Sequence, residues 1–195
     1  STAAALQSLL RLTPEWVACD SHPDYASSVA ARGLAVPRLE VQHHHAHLLA
    51  VLSEQKIMPD GPVLGVIWDG SGFGPDGTIW GGEFLLGRGA ACRRVAFFRR
   101  FALPGGDRAV KEPRRSAFSW LWETLGNDVA NEAARRFDLS AASMGKLCDG
   151  AAGTLRTSSV GRLFDAVAAL AGLCTVARYE GEAAMRLEAA ATAHQ

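Results

Sequence analysis

Four of the chain's six histidines fall at positions 43, 44, 45 and 47, inside the stretch VQHHHAHLL. Imidazole nitrogens suit zinc, iron and nickel, and they also carry protons near neutral pH. On a helix, residues four apart are neighbours, with Cβ atoms about 5–6 Å apart, so His43 and His47 can reach one ion. His44 and His47, three apart, form the competing pair. Two imidazoles leave a site incomplete, and a carboxylate from elsewhere would give a two-histidine, one-carboxylate set with open positions. The zinc-peptidase pattern HExxH needs a glutamate after the first histidine, where this chain has His44, so peptidase chemistry is disfavoured. The alternative is a surface cluster of histidines that holds no metal.

A second group of residues, WDGSGFGPDGTIWGGE, runs from Trp68 to Glu83. Gly70, Gly72 and Gly74 free the backbone for a sharp turn or for close approach of a ligand, and successive N–H groups in such a turn form an anion-binding concavity. No lysine follows these glycines as in a P-loop, and the following segment reads as a strand, whereas a Rossmann fingerprint would open a helix. Asp69 stands at the end of an apolar strand and the mouth of the turn. A carboxylate there is costly unless it meets a cation or hydrogen-bond donors, so Asp69 is the expected third ligand beside His43 and His47.

These residues need elements to position them. LQSLLRL reads as a short helix, EWVACD as a buried strand ended by SHPDY, residues 26–32 as a second helix, and RLEVQ as a strand. The histidines then open a helix with Leu48, Leu49 and Leu52 on its apolar side, which MPDGP ends. VLGVIWDG is a continuous apolar strand, SGFGPDG the turn, TIWGGEFLLG the returning strand, and CRRVAFFRRF a third strand. Helices follow in EPRRSAFSWLWETLG, NDVANEAARRF, SSVGRLFDAVAALAG and EGEAAMRLEAAATA. This is an α/β pattern. A lobe boundary is expected near Met58 to Gly61, with residues 1–58 closing one lobe around the histidine helix and residues 59–195 opening another.

Composition narrows the class. The 195 residues are 48% hydrophobic, and 20 Lys plus Arg balance 20 Asp plus Glu, so no net field points to nucleic acid or an anionic membrane. The basic and aromatic run RRVAFFRRF is read as an edge strand with a solvated face. Cys19, Cys92, Cys148 and Cys174 form no CxxC pair, which fits reduced, buried thiols in a cytoplasmic protein. No apolar run reaches the roughly 18 residues of a membrane span.

Taken together, VQHHHAH, DGSGFGPDGTIWGGEFLL, LPGGDRAVKEP and TSSVGRLFDAVAAL with YEGEAAM resemble the HypF carbamoyltransferases of nickel-iron hydrogenase maturation. The likeness is to their module akin to the tRNA-modifying enzyme TsaD and the O-carbamoyltransferase TobZ. The resemblance implies an incomplete two-lobed fold of the actin, hexokinase and heat-shock ATPase type, which is ribonuclease H-like. It implies a divalent metal, iron or zinc, on His43, His47 and Asp69, and a phosphate hairpin at Asp69, Gly70, Ser71 and Gly72. Asp165, in GRLFD, corresponds to a ribose-contacting aspartate, and Gly181, in YEGE, more loosely to a nucleotide turn. The helical pattern agrees in part: with Leu163, Phe164, Val167, Leu170 and Ala171 as its apolar face, Asp165 is left to face a cleft or solvent.

The implied reaction moves a carbamoyl group from carbamoyl-adenylate, made from ATP, to the C-terminal cysteine thiol of a HypE-type acceptor. No nucleophile from the chain is required, and no catalytic residue is assigned. The family's earlier glycine hairpin, its last metal-binding aspartate and its YrdC-like module have no counterpart here. The chain is therefore expected to expose sheet edges and apolar surface. Competing readings are a degenerate metal- or nucleotide-binding protein without transfer activity, or an O-carbamoyltransferase or tRNA-modifying relative.

Overall fold

The computed structural model describes residues 2–57, 59–88 and 91–193. The chain begins with α1 (Thr2–Leu10), β1 (Val17–Asp20), α2 (Ala26–Arg32), β2 (Arg38–Val41) and the histidine helix α3 (His43–Glu54). β1 and β2 pair in parallel, as a β-α-β unit requires, with Asp20 opposite Val41 at its end. Next come β3 (Val63–Phe73), β4 (Ile79–Arg88), β5 (Ala91–Phe97) and β6 (Phe101–Ala102). The helical part consists of α4 (Asp107–Lys111), α5 (Pro113–Leu125), α6 (Asn127–Arg136), α7 (Ala141–Cys148), α8 (Val160–Leu170) and α9 (Glu182–Thr192), with β7 (Arg156–Thr157) between α7 and α8. The expected lobe boundary begins at Met58, which lies outside the described residues.

β3, β4, β7 and β6 neighbour one another in that order, and β5 pairs with β4 as an edge strand. Residues 92–101 were expected to form one strand, but pairing stops at Phe97 and resumes in the two-residue β6. Two of the four arginines here turn inward: Arg94 lies 4.1 Å over the Trp80 ring, with Nη2 2.6 Å from Asp76 Oδ2, and Arg100 also pairs with Asp76. Arg93, Arg99, Phe97 and Phe98 are exposed, as expected of an edge strand with a solvated face.

α3 lies on one face of β3 and β4 through the buried Leu48. That approach depends on two glycines, since a Cβ on Gly65 or Gly87 would come within 3.0 or 2.8 Å of the Leu48 methyls. The opposite face is open, and Leu64, Val66 and Trp68, alternating along β3, are each more than half exposed. The apolar surface expected from the sequence is present there.

The core of the helical part joins Phe118 and Leu121 of α5 to Ala130, Ala134, Met144 and Cys148. A second cluster, Ala117, Phe137, Ala166 and Ala169, seats α8 on α5. This reverses the face expected for α8. Arg162, Asp165, Ala166, Ala168 and Ala169 point inward, while Phe164 and Val167 are exposed. Small side chains let α5 and α8 approach closely, and that contact outweighs burial of the larger residues. Asp165 is accordingly buried, at 4% exposure, where the sequence suggested a free carboxylate. The four cysteines are unpaired, Cys148 and Cys174 buried as expected and Cys19 and Cys92 only partly so.

Candidate metal centre

The site is assembled from three short pieces: the first turn of α3, the end of β1, and an irregularity in β3. The sequence placed a turn at residues 71–77, yet β3 continues to Phe73. Trp68 pairs with Gly82 and Gly72 with Trp80, which leaves Asp69, Gly70 and Ser71 bulging opposite Gly81 alone. Bulges re-aim side chains, and this one turns Asp69 toward α3. The chain reverses later, where Gly74 N–H donates to Thr78 O at 3.0 Å. Gly72 serves close approach rather than turning: a Cβ there would lie 2.3 Å from His44 Cε1 and 2.9 Å from His43 Cδ2.

Gln42 begins α3 and ties it to the bulged strand. Its side-chain oxygen accepts from His45 N–H at 2.9 Å, while its amide nitrogen donates to Phe73 O at 3.1 Å and lies 3.1 Å from His44 Nδ1. With Gln42 as donor, His44 carries its proton on Nε2, which faces Asp69 Oδ2 at 3.9 Å. Burial holds His44 neutral by lowering its pKa to about 4, against the smaller opposing pull of Asp69.

His43 and His47 stack one turn apart, with their Nε2 atoms separated by 3.2 Å. Nδ1 of His43 lies 2.8 Å from Asp20 Oδ2. A carboxylate only accepts, so a neutral His43 keeps its proton on Nδ1 and presents a bare lone pair at Nε2. That lone pair faces Asp69 Oδ2 at 3.1 Å, and Asp69 Oδ2, although shielded from solvent, has no hydrogen-bond partner. Two acceptors set face to face repel unless a proton or a metal ion lies between them. One ligand atom each from His43, His47 and Asp69 lies within 4.8 Å of the others. The donor set, two imidazoles and a carboxylate, suits a divalent transition metal, and the histidine pair four apart is the one that converges.

Asp20 was missed in the sequence. A carboxylate that orients a metal-binding imidazole from behind can come from anywhere in a fold, so spacing gives no sign of it. It is itself fixed: Oδ1 accepts from His22 N–H at 2.8 Å, and its carbonyl accepts from Ser28 Oγ at 2.9 Å. Ser159 is the N-cap of α8. Its hydroxyl is 2.7 Å from both Asp69 O and Gly70 O and also accepts from Arg162 N–H. Gly161 allows this docking, because a Cβ there would lie 2.7 Å from Gly70 Cα.

Of the other residues expected to contact nucleotide, Asp165 is linked to the bulge through Arg162, whose Nη2 lies 3.7 Å from the point a Gly70 Cβ would occupy. Asp165 is 2.8 Å from Arg162 Nη1, and burial pushes its carboxyl up to about 6 despite that guanidinium. Gly181 is the positive-φ N-cap of α9, which packs on α8. The start of α9 is taken by its own buried Glu182, which accepts from Arg178 N–H and pairs with Arg178 and Arg186. That carboxylate, neutralised by the two arginines, stands at the start of the helix beside Gly181.

Comparison with known proteins identifies the family. Residues 65–195 match the family model described as carbamoyltransferase, Kae1-like domain, second subdomain, and residues 1–54 match that of the HypF Kae1-like domain. The chain is 39% identical to carbamoyltransferase HypF of Synechocystis over 95% of its own length and 26% of that protein. It is 47% identical to carbamoyltransferase HypF of Rhodobacter capsulatus over 91% of its length and 25% of the relative. A crystal structure of full-length HypF in a phosphate- and nucleotide-bound form superposes with a TM-score of 0.83 at 36% identity, over 96% of this chain and 24% of that one. Thermococcus HypF (T.kodakarensis) gives 0.80 at 31% identity, covering 95% of this chain and 26% of that one. The chain thus spans about a quarter of the length of these relatives, and its mixed α/β architecture fits an incomplete actin- and hexokinase-like fold. A match to HypF that runs through both the histidine helix and the bulged strand shows that the chain belongs to the HypF carbamoyltransferase family and corresponds to its Kae1-like region.

Proposed function

We propose that the chain forms the metal-binding part of a cytoplasmic carbamoyltransferase that acts on the C-terminal cysteine of a HypE-type acceptor protein, with carbamoyl-adenylate as donor. The observation that carries this reading is the convergence of His43, His47 and Asp69 on one point, with Asp69 Oδ2 unpartnered. In the transfer, the acceptor sulfur bonds to the carbamoyl carbon, the carbon–oxygen bond to phosphate breaks, and AMP leaves with the electron pair. The thiol proton passes to solvent.

Iron or zinc held by the three residues would supply a Lewis acid and template for a phosphate or carbamoyl oxygen. The chain's own residues do the positioning. Asp20 fixes the His43 ring, the neutral His44 fills the wall behind Gly72 and turns an N–H toward Asp69, and Ser159 holds the bulge through two carbonyls. The bulge at Gly70 to Gly72, on which Ser71 is exposed, is the part of the chain offered for a nucleotide phosphate. Donor synthesis belongs to YrdC-like segments of the same family, with ATP consumed there.

Metal analysis of the purified chain, beside a His43→Ala, His47→Ala double variant and with ATP added, tests the reading. Near-stoichiometric metal is expected in the parent and a trace in the variant, while equal contents in both would remove the site. The burial of Asp165 favours a second reading, a metal-binding protein without transfer activity. In that case the chain, supplied with carbamoyl-adenylate, would bind metal and yet leave a cysteine-terminated peptide unmodified.

A further inference from the structure

Beside the metal site, across Gly72, lies a cavity of about 480 Å³ walled by His22, Tyr25, Phe73, Ile79 and Leu103, with Arg162 among its lining residues. The His22 and Tyr25 rings stack at 4.1 Å, and Phe73 tilts against His22 at 5.0 Å, so one wall is aromatic. Arg162 is 6% exposed. Its Nε and Nη1, both sealed from solvent, have no hydrogen-bond partner among the described residues. Asp165 Oδ2 sits 2.8 Å from Nη1 without the alignment of a hydrogen bond and is likewise unpartnered. A guanidinium offers a planar fork of N–H donors that fits an oxyanion in two-point contact, and burying it unfilled is unfavourable. Nothing in the metal site uses it.

We infer that Arg162 anchors an oxyanion subsite in this cavity, and that the oxyanion it takes is the terminal α-carboxylate of the acceptor peptide. This rests on the carbamoyl-transfer reading. Two features favour a carboxylate over a nucleotide phosphate. The exposed carboxylates Asp24 and Asp107 line the same cavity, and they repel a multiply charged phosphate more than a single carboxylate. The walls are largely apolar and aromatic, which suits the last side chains of a peptide. In a C-terminal cysteine the thiol belongs to the residue that bears the carboxylate. Gripping the carboxylate at Arg162, whose Nη2 lies 3.7 Å from the point a Gly70 Cβ would occupy, therefore keeps the sulfur within one residue of the bulge that carries Asp69, and restricts transfer to chain ends.

Calorimetry on the 195-residue chain with two short peptides ending in cysteine, one a free acid and one a C-terminal amide, tests this without any variant. The acid should bind about 10- to 100-fold more tightly, the worth of a charge-assisted contact. Arg162→Gln should erase that preference and Arg162→Lys restore part of it, each keeping the parent's metal content. An Arg162→Gln, Asp165→Asn pair removes the carboxylate left unbalanced in the single variant. Equal binding of acid and amide by the parent, or no binding of either, overturns the inference. Inorganic phosphate competing with both peptides alike would assign Arg162 to a phosphate, which also overturns it. Metal content, measured on the same samples, reports separately on the reading beneath.

Discussion

Asp69 beside the start of α8 and Asp165 in its middle, one partly and one fully buried, meet positive charge in opposite ways. Asp69 faces three imidazoles, which carry no fixed charge, and its Oδ2 is unpartnered. Asp165 faces a permanent guanidinium from its own helix, one turn away. The first group depends on something outside the chain for its balancing charge, and the second does not. Function is therefore to be sought at Asp69, where charge is left open, and at Arg162, whose charge is met by Asp165 but whose Nε and Nη1 have no hydrogen-bond partner among the described residues.

The contrast predicts opposing responses to pH, the largest effect expected. His44 titrates at about 4 in the folded chain against 6.5 unfolded, so it contributes stability that is present above 6.5 and lost as pH falls toward 4. Asp165 titrates at about 6 against 3.8 unfolded, so stability is fullest below 3.8 and lost as pH rises toward 6. Each shift corresponds to about 3 kcal/mol, and over the shared window the two trends offset one another. Urea titrations of the chelated chain at pH 4.5 and 6.5 check this. Asp165→Asn should leave His44 unopposed and add about 2–3 kcal/mol to the loss on acidification. An unchanged difference between the two pH values would mean that Asp165 is not elevated.

A smaller effect separates the orienting carboxylate from the metal-facing one. Asp20→Asn keeps the size of the side chain but no longer holds the proton on His43 Nδ1 as firmly, so metal affinity should drop about 10- to 100-fold with no loss of fold. Competition with a chelator of known affinity measures it, and an unaltered constant would make Asp20 a bystander. Smallest is Ser159→Ala, which removes the cap of α8 and its grip on the bulge. About 1 kcal/mol of stability should go, with a modest weakening of metal binding, read by thermal melts with and without metal.

How legible all this was in the sequence varied with how local each determinant is. The spacing of His43 and His47 is a property of one helix turn, and Asp69 declared itself by standing at the end of an apolar run. The longer strands and most helices followed from period and punctuation, while β7, α4 and α7 did not. The inward face of α8 did not, because Phe164 and Val167 make the larger apolar surface, and only the small residues of α5 across the contact decide which side is buried. The bulge at Asp69 to Ser71 was read as the end of a strand and the start of a turn, since glycines read the same way in both. Asp20 and Gln42 act through hydrogen bonds between distant segments, for which a single sequence carries no pattern.

The hydroxyl of Ser159 gives the two charge centres a common lever. It grips the carbonyls of Asp69 and Gly70 at one end and caps the helix bearing Arg162 at the other, with Gly161 pressed against Gly70 so that no side chain can absorb slack. A displacement of that helix by an occupant of the cavity is passed to the metal-facing carboxylate. By thermodynamic reciprocity, a bound cation alters affinity for the occupant by the same factor as the occupant alters affinity for the cation. Cation and cavity occupant are thereby linked through a single serine.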